Sequence, residues 1–332
     1  NGNRLFCRTK TECKFLCLPD TASRTWRSQT KLFLRISKTP ILCTESSLPI
    51  DGMIQDLRLS GQLQTLFCLS EIKKVPMPEI TKAVIIAGGK GTRLASVTSN
   101  TPKALVEIGG ISVLGHQIKL LEKYGVERIH LLLGHLAGQI KDFIEKKEWG
   151  VDIQIIVEEQ LLGTAGALKQ LENEIQEDFL VLSGDVMANL DVQRLAQWHK
   201  AKGGIVTLVV HPNDHPFDSD LVEVDSQKKV IGLLRRPHEE GKVFSNLSIA
   251  SLYICSPKIF KYIPESKKVD IEKDILPLVL EAGEQVYAYN TPEYIKDMGT
   301  PERLEQVRKD YESGKVQRMS LQNERRAVFF DR

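Results

Sequence analysis

An α/β fold, with helices on both faces of a mostly parallel sheet, is predicted from residue 81 onward by three observations. Short apolar runs alternate with segments whose apolar residues recur at helical spacing. The connections between them are brief, which favours crossover units and parallel neighbours. The first apolar run, residues 83–87, closes on Gly88-Gly89, as a buried strand entering a tight turn does.

The elements follow in order. Residues 113–124 carry Val113, Ile118, Leu120, Leu121 and Tyr124 on a helical stripe and stop at Gly125. Strand is predicted over 128–133, helix over 137–146 and strand over 152–157. Helix over 164–171, strand over 179–182, helix over 191–200 and strand over 205–210 continue the alternation. Beyond that the pattern is mixed. Residues 221–224 and 229–234 flank Asp225-Ser-Gln, which predicts a hairpin. Residues 257–262 and 271–280 read as helical. Thr300 is placed to cap a closing helix, with Pro301 at its first position and Glu302 in its first turn.

Composition narrows the class of protein. Of 332 residues, 42% are hydrophobic and 27% charged, as in ordinary globular chains. The apolar runs fall far short of the ~18 residues of a membrane helix, so no membrane partner is expected. A formal charge of +2 gives no nucleic-acid footprint. The total hides two unlike pieces. Residues 1–80 hold 12 Lys/Arg against 7 Asp/Glu and five of the six cysteines. The remainder is mildly acidic and retains only Cys255, which suits a reducing cytoplasm. The first 80 residues show no sustained period and are expected to be a loosely ordered extension; a transit peptide is the alternative. The chain opens on Asn, so a preceding segment is expected. Cys13 and Cys17 lack a downstream pair at zinc-finger spacing. Residues 75–78, Val-Pro-Met-Pro, read as a linker.

Chemistry concentrates in the turn after the first strand, Ala87-Gly-Gly-Lys-Gly-Thr-Arg-Leu94. A dinucleotide fingerprint begun at Gly89 needs glycine where Leu94 stands, which excludes a nicotinamide-dependent oxidoreductase. A P-loop begun at Gly88 needs glycine where Arg93 stands. Three glycines still let backbone amides approach phosphate, and Arg93 adds a cation with bidentate geometry. Asp185 follows an apolar strand and Gly184; Asp297 lies before Gly299. Each could be a turn or capping residue instead of a ligand.

The turn, with Thr101-Pro-Lys-Ala-Leu105, Glu159-x-x-Leu-Gly-Thr-Ala-Gly-Ala-Leu168, Leu182-Ser-Gly-Asp185 and Tyr294-Ile-Lys-Asp-Met-Gly-Thr-Pro-Glu-Arg303, resembles the signature of the sugar-phosphate nucleotidyltransferases. The resemblance runs from Lys82 to Tyr311 and implies their Rossmann-like, nucleotide-diphospho-sugar transferase fold. The implied reaction joins a nucleoside triphosphate (NTP) to a sugar 1-phosphate, giving a nucleotide sugar and pyrophosphate. The resemblance places Ala87, Gly88, Gly89, Gly91, Thr92, Gly163 and Thr164 on the nucleotide. Arg93 and Lys103 become the catalytic cations, with Arg93 on the departing pyrophosphate. Asp185 and Asp297 become the Mg²⁺ ligands. A solvated surface role remains the alternative for Lys103, and helix capping for Thr164.

The sugar half departs from the family. Relatives carry Glu-Lys-Pro where Arg235-Arg236-Pro237 stands, so Arg236 keeps the phosphate-binding charge while Arg235 reverses one. They also carry Asn-Ala-Gly where Ile249-Ala-Ser251 stands, and vary around Met187 and Asn189. The preferred reading is GTP with a heptose or mannose 1-phosphate. A non-catalytic nucleotide-sugar-binding or regulatory module of the same fold is the rival; retention of Arg93, Lys103, Asp185 and Asp297 argues against it.

Residues 326–332 resemble the opening of a haloacid-dehalogenase (HAD)-type phosphatase, with Asp331 at the nucleophile position. A division into an extension (1–80), a nucleotidyltransferase domain (81–315) and the first strand of a cut-away phosphatase domain (316–332) follows. Homo-oligomerisation is left open. His211-Pro-Asn-Asp-His-Pro216 reads as a proline-bounded loop before a metal site, and Asn246-Leu-Ser248 as a sequon without use in the cytoplasm.

Overall fold

The structure, a computed structural model, describes residues 79–89, 100–212, 219–238 and 246–317, with the backbone of four short strands nearer the start. The chain divides into two compact units, Asn1–Met77 and Pro78–Arg332. In the first, Cys7–Thr9 pairs with Glu12–Cys13 and Lys31–Ile36 with Thr39–Thr44, both antiparallel. No strand period announces these ladders. The Cys13/Cys17 pair, the 75–78 linker and the phosphatase-like segment at 326–332 are not wholly within the described residues, so no site or domain is built on them.

The second unit is organised by β1 (Lys82–Ala87), β4 (Arg128–Leu133), β5 (Asp152–Val157) and β6 (Phe179–Ser183). They pair in parallel in the order β6–β1–β4–β5. The helices α1 (Val113–Lys123), α2 (Ala137–Glu145) and α3 (Gly163–Lys169) lie in the connections. A tight pair, β2 (Glu107–Ile108) and β3 (Ile111–Ser112), precedes α1. Side chains alternate across a strand, so Ala83 and Ile85 join one hydrophobic cluster and Val84 the other. Both faces of the sheet are therefore covered, which is why these strands read as continuous apolar runs.

The other half of the sheet turns antiparallel. Here β11 (Leu247–Cys255) pairs with β6 on one side. It also pairs with β8 (Val206–Pro212) and, through one residue, with β9 (Leu221–Val224). A parallel strand, β12 (Val286–Asn290), extends β8. Neither β11 nor β12 was expected from the sequence. The predicted hairpin is present as β9 and β10 (Val230–Leu234), and Asp225 Oδ1 accepts from the amides of Gln227 and Lys229 to close it. Asp191 caps α4 (Val192–Lys202), and Gly203, at φ +68°, ends it. The predicted helix over 271–280 is split: Ile271–Ile275 is a π-turn and Leu276–Glu281 is α5. Pro277 has no N–H for the i→i−4 bond, and the wider turn accommodates the loss.

A third cluster lies beyond this sheet. The four-residue strands β7 (Val186–Asn189) and β13 (Tyr294–Asp297) pair antiparallel. Met187, Tyr294 and Met298 pack there with Leu304 and Val307 of α6 (Pro301–Glu312). Thr300 caps α6 as expected, its hydroxyl accepting from Arg303 N. No helix among the described residues is long and apolar enough to cross a membrane.

Candidate active site

The carboxyl ends of β1 and β6 converge. Gly184 N donates to Ile86 O at 2.9 Å, and a Cβ on Gly184 would stand 2.9 Å from Ala87 Cβ. Only a glycine allows the turn bearing Asp185 to come so near the end of β1. Gly88 is similarly hemmed in: a Cβ there would lie 2.9 Å from Glu158 Oε2 and 3.2 Å from Gly134 N. Gly89 has open space around it. Gly91, Thr92 and Arg93 lie outside the described residues.

Lys103 opens a 3₁₀ turn, Lys103–Leu105, and its Nζ stands 3.6 Å from Asp185 Oδ2. Asp185 Oδ1 also accepts from Ser183 Oγ at 2.7 Å. Gln117, buried on α1, donates through Nε2 to both Ser183 O and Val186 O at 2.8 Å. That amide spans the Ser183–Val186 turn and so fixes where Asp185 projects.

Asp297 arrives through the β7–β13 ladder, in which Val186 is paired with Asp297. Met298 N donates to Asp185 O at 2.9 Å. Two carboxylates 112 positions apart in the chain thus flank one backbone crossing. Asp297 Oδ1 accepts from Gly299 N at 2.9 Å, and Arg303 Nη1 donates to both carboxylate oxygens at 2.8 Å. Two hard oxygen donors beside a lysine suit a cation completed by phosphate and water. The donor set fits Mg²⁺.

A second group forms around Gly163. Its φ of +77° and a would-be Cβ only 2.4 Å from Val269 O require glycine. Thr164 does not cap the helix. Leu162 is at the cap and offers no side-chain bond. Thr164 Oγ1 instead donates to Asp270 Oδ2 and accepts from Ile271 N, both at 2.9 Å. The tie to a segment over 100 residues away outcompetes the local cap. Glu158 joins the two groups: Oε1 accepts from Leu162 N at 3.1 Å while Oε2 faces Gly88. Burial pushes its carboxyl up, against the opposing pull of the Leu162 N–H. The reading of the sequence passed over Glu158 for its neighbour Glu159, which is exposed.

The third group holds Arg236. Its backbone N–H donates to Asp220 Oδ1 at 3.1 Å, and its Nε lies 3.8 Å from the same oxygen. Arg235 Nη1 donates to Asp220 Oδ2 at 3.0 Å, and its Nη2 to Glu272 O. Burial opposes charge on Asp220, but these donors outweigh it and hold the carboxyl below its ordinary range. Arg235 is therefore turned towards the protein, while the Arg236 side chain is more than half exposed. Ser251, where relatives are expected to carry glycine, keeps a left-handed backbone at φ +49°. Its hydroxyl donates to Glu272 Oε1 at 3.1 Å, and Tyr253 OH donates to the same oxygen. Burial and Asp270 push the Glu272 carboxyl up, opposed by these hydroxyls and Arg235.

Residues 82–314 match the family described as Nucleotidyl transferase. A mannose-1-phosphate guanyltransferase of Saccharomyces cerevisiae is 36% identical over 241 residues, covering 71% of this chain and 64% of that one. A mannose-1-phosphate guanylyltransferase of Mycobacterium tuberculosis is 28% identical over 223 residues, 66% of this chain and 61% of the relative. The chain therefore spans less than two thirds of the length of these curated relatives. Among solved structures, HddC from Yersinia pseudotuberculosis superposes with a TM-score of 0.61 at 28% identity, covering 70% of this chain and 100% of that one. The same protein complexed with GMP-PN gives 0.60 at 29% identity, again over 70% of this chain and all of that one.

Proposed function

Because the chain belongs to the nucleotidyl transferase family, we propose that it transfers a nucleoside monophosphate from an NTP to a sugar 1-phosphate, releasing pyrophosphate. The preferred pair is GTP with a mannose or heptose 1-phosphate. The observation that carries this reading is that Lys103 and the β7–β13 crossing that bears Asp297 both meet the Asp185 turn, which itself abuts the carboxyl end of β1. A phosphate oxygen of the sugar 1-phosphate attacks the α-phosphorus; the bond to the pyrophosphate oxygen breaks, and its electron pair leaves with pyrophosphate. No covalent intermediate on the protein is needed, so the residues act by alignment and charge. Gly88 and Gly89 would let backbone approach the triphosphate. Lys103 would neutralise the transferring phosphate, and Arg93 the leaving pyrophosphate.

Asp185 and Asp297 would hold Mg²⁺, which when bound supplies positive charge to both reacting phosphates. Arg236 would meet the sugar phosphate. The mannose-1-phosphate guanylyltransferase names of the relatives and the GMP-PN complex of the neighbour support the same pair.

The test offers GTP, CTP, UTP, dTTP and ATP with a panel of sugar 1-phosphates and Mg²⁺, scoring pyrophosphate. GTP with mannose or heptose 1-phosphate is expected to turn over fastest. Tight nucleotide binding without any pyrophosphate, from folded protein, would favour the non-catalytic reading.

A further inference from the structure

We infer that Arg303 is a built-in counter-cation for Asp297, which a divalent ion must displace, and that it thereby sets the site's affinity for that ion. The inference rests on the Mg²⁺ reading of Asp185 and Asp297.

One guanidinium nitrogen, Nη1, reaches both Oδ1 and Oδ2 of Asp297 at 2.8 Å, while Gly299 N takes Oδ1 at 2.9 Å. A carboxylate offers about four acceptor positions in all. At least three are filled here, so a cation gains a full grip on Asp297 only as Arg303 withdraws. Asp185 is held more lightly. Its only cationic neighbour among the described residues is Lys103, at 3.6 Å, beyond hydrogen-bonding distance. The two carboxylates are thus unequal: Asp185 is open to an arriving ion, and Asp297 closes on it at the expense of an existing pair.

The helix does not explain this arginine. Arg303 is the third residue of α6, after Pro301 and Glu302, where the helix dipole is positive and a cation is disfavoured. Thr300 already supplies the cap, accepting from Arg303's own backbone N–H. What remains for the side chain is Asp297, six positions earlier. Arg303 is about one-third exposed, so its guanidinium has solvent to withdraw into.

The test is Mn²⁺ binding, followed by the electron paramagnetic resonance signal of the free ion, in the presence of a non-hydrolysable GTP analogue. Arg303→Gln should bind Mn²⁺ about two- to fivefold more tightly than the unaltered chain, the equivalent of losing one exposed ion pair. Arg303→Lys should fall between them. The gain should vanish when Asp297→Asn is combined with Arg303→Gln. Equal or weaker binding by folded Arg303→Gln, while Asp185→Asn weakens binding, overturns this inference and leaves the metal reading standing. Should Arg303→Gln not fold, an Arg303→Lys affinity equal to that of the unaltered chain overturns it instead. If Asp185→Asn and Asp297→Asn both leave Mn²⁺ binding unchanged, the metal reading falls and this inference with it.

Discussion

Lys103 Nζ stands 3.6 Å from Asp185 Oδ2, with the two side chains 15% and 26% exposed. The contact joins a residue of the 3₁₀ turn to the turn after β6, and it places a cation beside a candidate metal carboxylate. A partly exposed pair of this kind contributes ~0–1 kcal/mol to stability. A cation aimed at charge developing in a transition state is worth far more, ~10²–10³ in rate. Lys103→Met should therefore lower turnover by about that factor while shifting Tm by only a few degrees. A Tm collapse with turnover of the folded fraction intact would make Lys103 structural.

Gly163 and Gly203 both have positive φ, at +77° and +68°, but differ in surroundings. A Cβ on Gly163 would strike Val269 O; one on Gly203 would meet nothing within 4 Å. Gly203→Ala should cost about 1 kcal/mol, the backbone penalty alone. Gly163→Ala should cost roughly 1–3 kcal/mol more and raise the Kd for nucleotide, because the Val269–Glu272 segment must shift with Thr164. Urea midpoints and nucleotide titration check both. Equal costs would remove the case for close packing at Gly163.

His130 is fully buried in β4, and neither ring nitrogen has a hydrogen-bond partner among the described residues. Burial lowers its pKa from 6.5; Glu174 pulls it up, while Arg128 and Lys82 lower it further. His116 is lowered too, chiefly by burial. With the folded pKa below the unfolded one, the unfolded chain binds more protons as pH falls beneath about 6.5, and stability drops with it. Above that range the contribution is fully present. Unfolding free energies of the unaltered chain and His130→Leu, measured from pH 7.5 to 5, should diverge in slope, with the variant flatter. Parallel slopes would refute the assignment.

Tyr294 OH donates to Asp310 Oδ2 at 3.0 Å, and both residues are buried. Asp310 keeps Gln306 and Lys315 as further partners, so its charge remains supported without the tyrosine. Tyr294→Phe should cost about 1 kcal/mol, seen as a Tm drop of roughly 2–4 °C. KM for both substrates should stay unchanged, since the bond fastens α6 at the end away from Arg303. A KM change without loss of Tm would place Asp310 in the site.

Much of the framework was legible because its causes are local. The strands at 128–133 and 152–157 stand where expected, since side-chain period and apolar content act over a few residues. The Asp225 turn and the Thr300 cap were read from single side chains bonding amides two to four positions away. Thr164 shows the limit of such reading. Its hydroxyl fits a cap equally well, and only the approach of Asp270 decides its bond. The strands β7 and β13 escaped notice for a related reason: four residues carry too little period to stand out.

By itself, the sequence determined the class of fold, the ordered motifs and the residue types that suit phosphate and a hard cation. Tertiary structure decided which of those residues meet. The pairing of Val186 with Asp297 brings two aspartates together across 112 positions. It also decided that Gln117 spans the Asp185 turn, that Glu158 faces Gly88, and that Arg303 lies on Asp297. These contacts depend on long loops being closed by hydrophobic packing elsewhere in the sheet, and no short window of sequence records that.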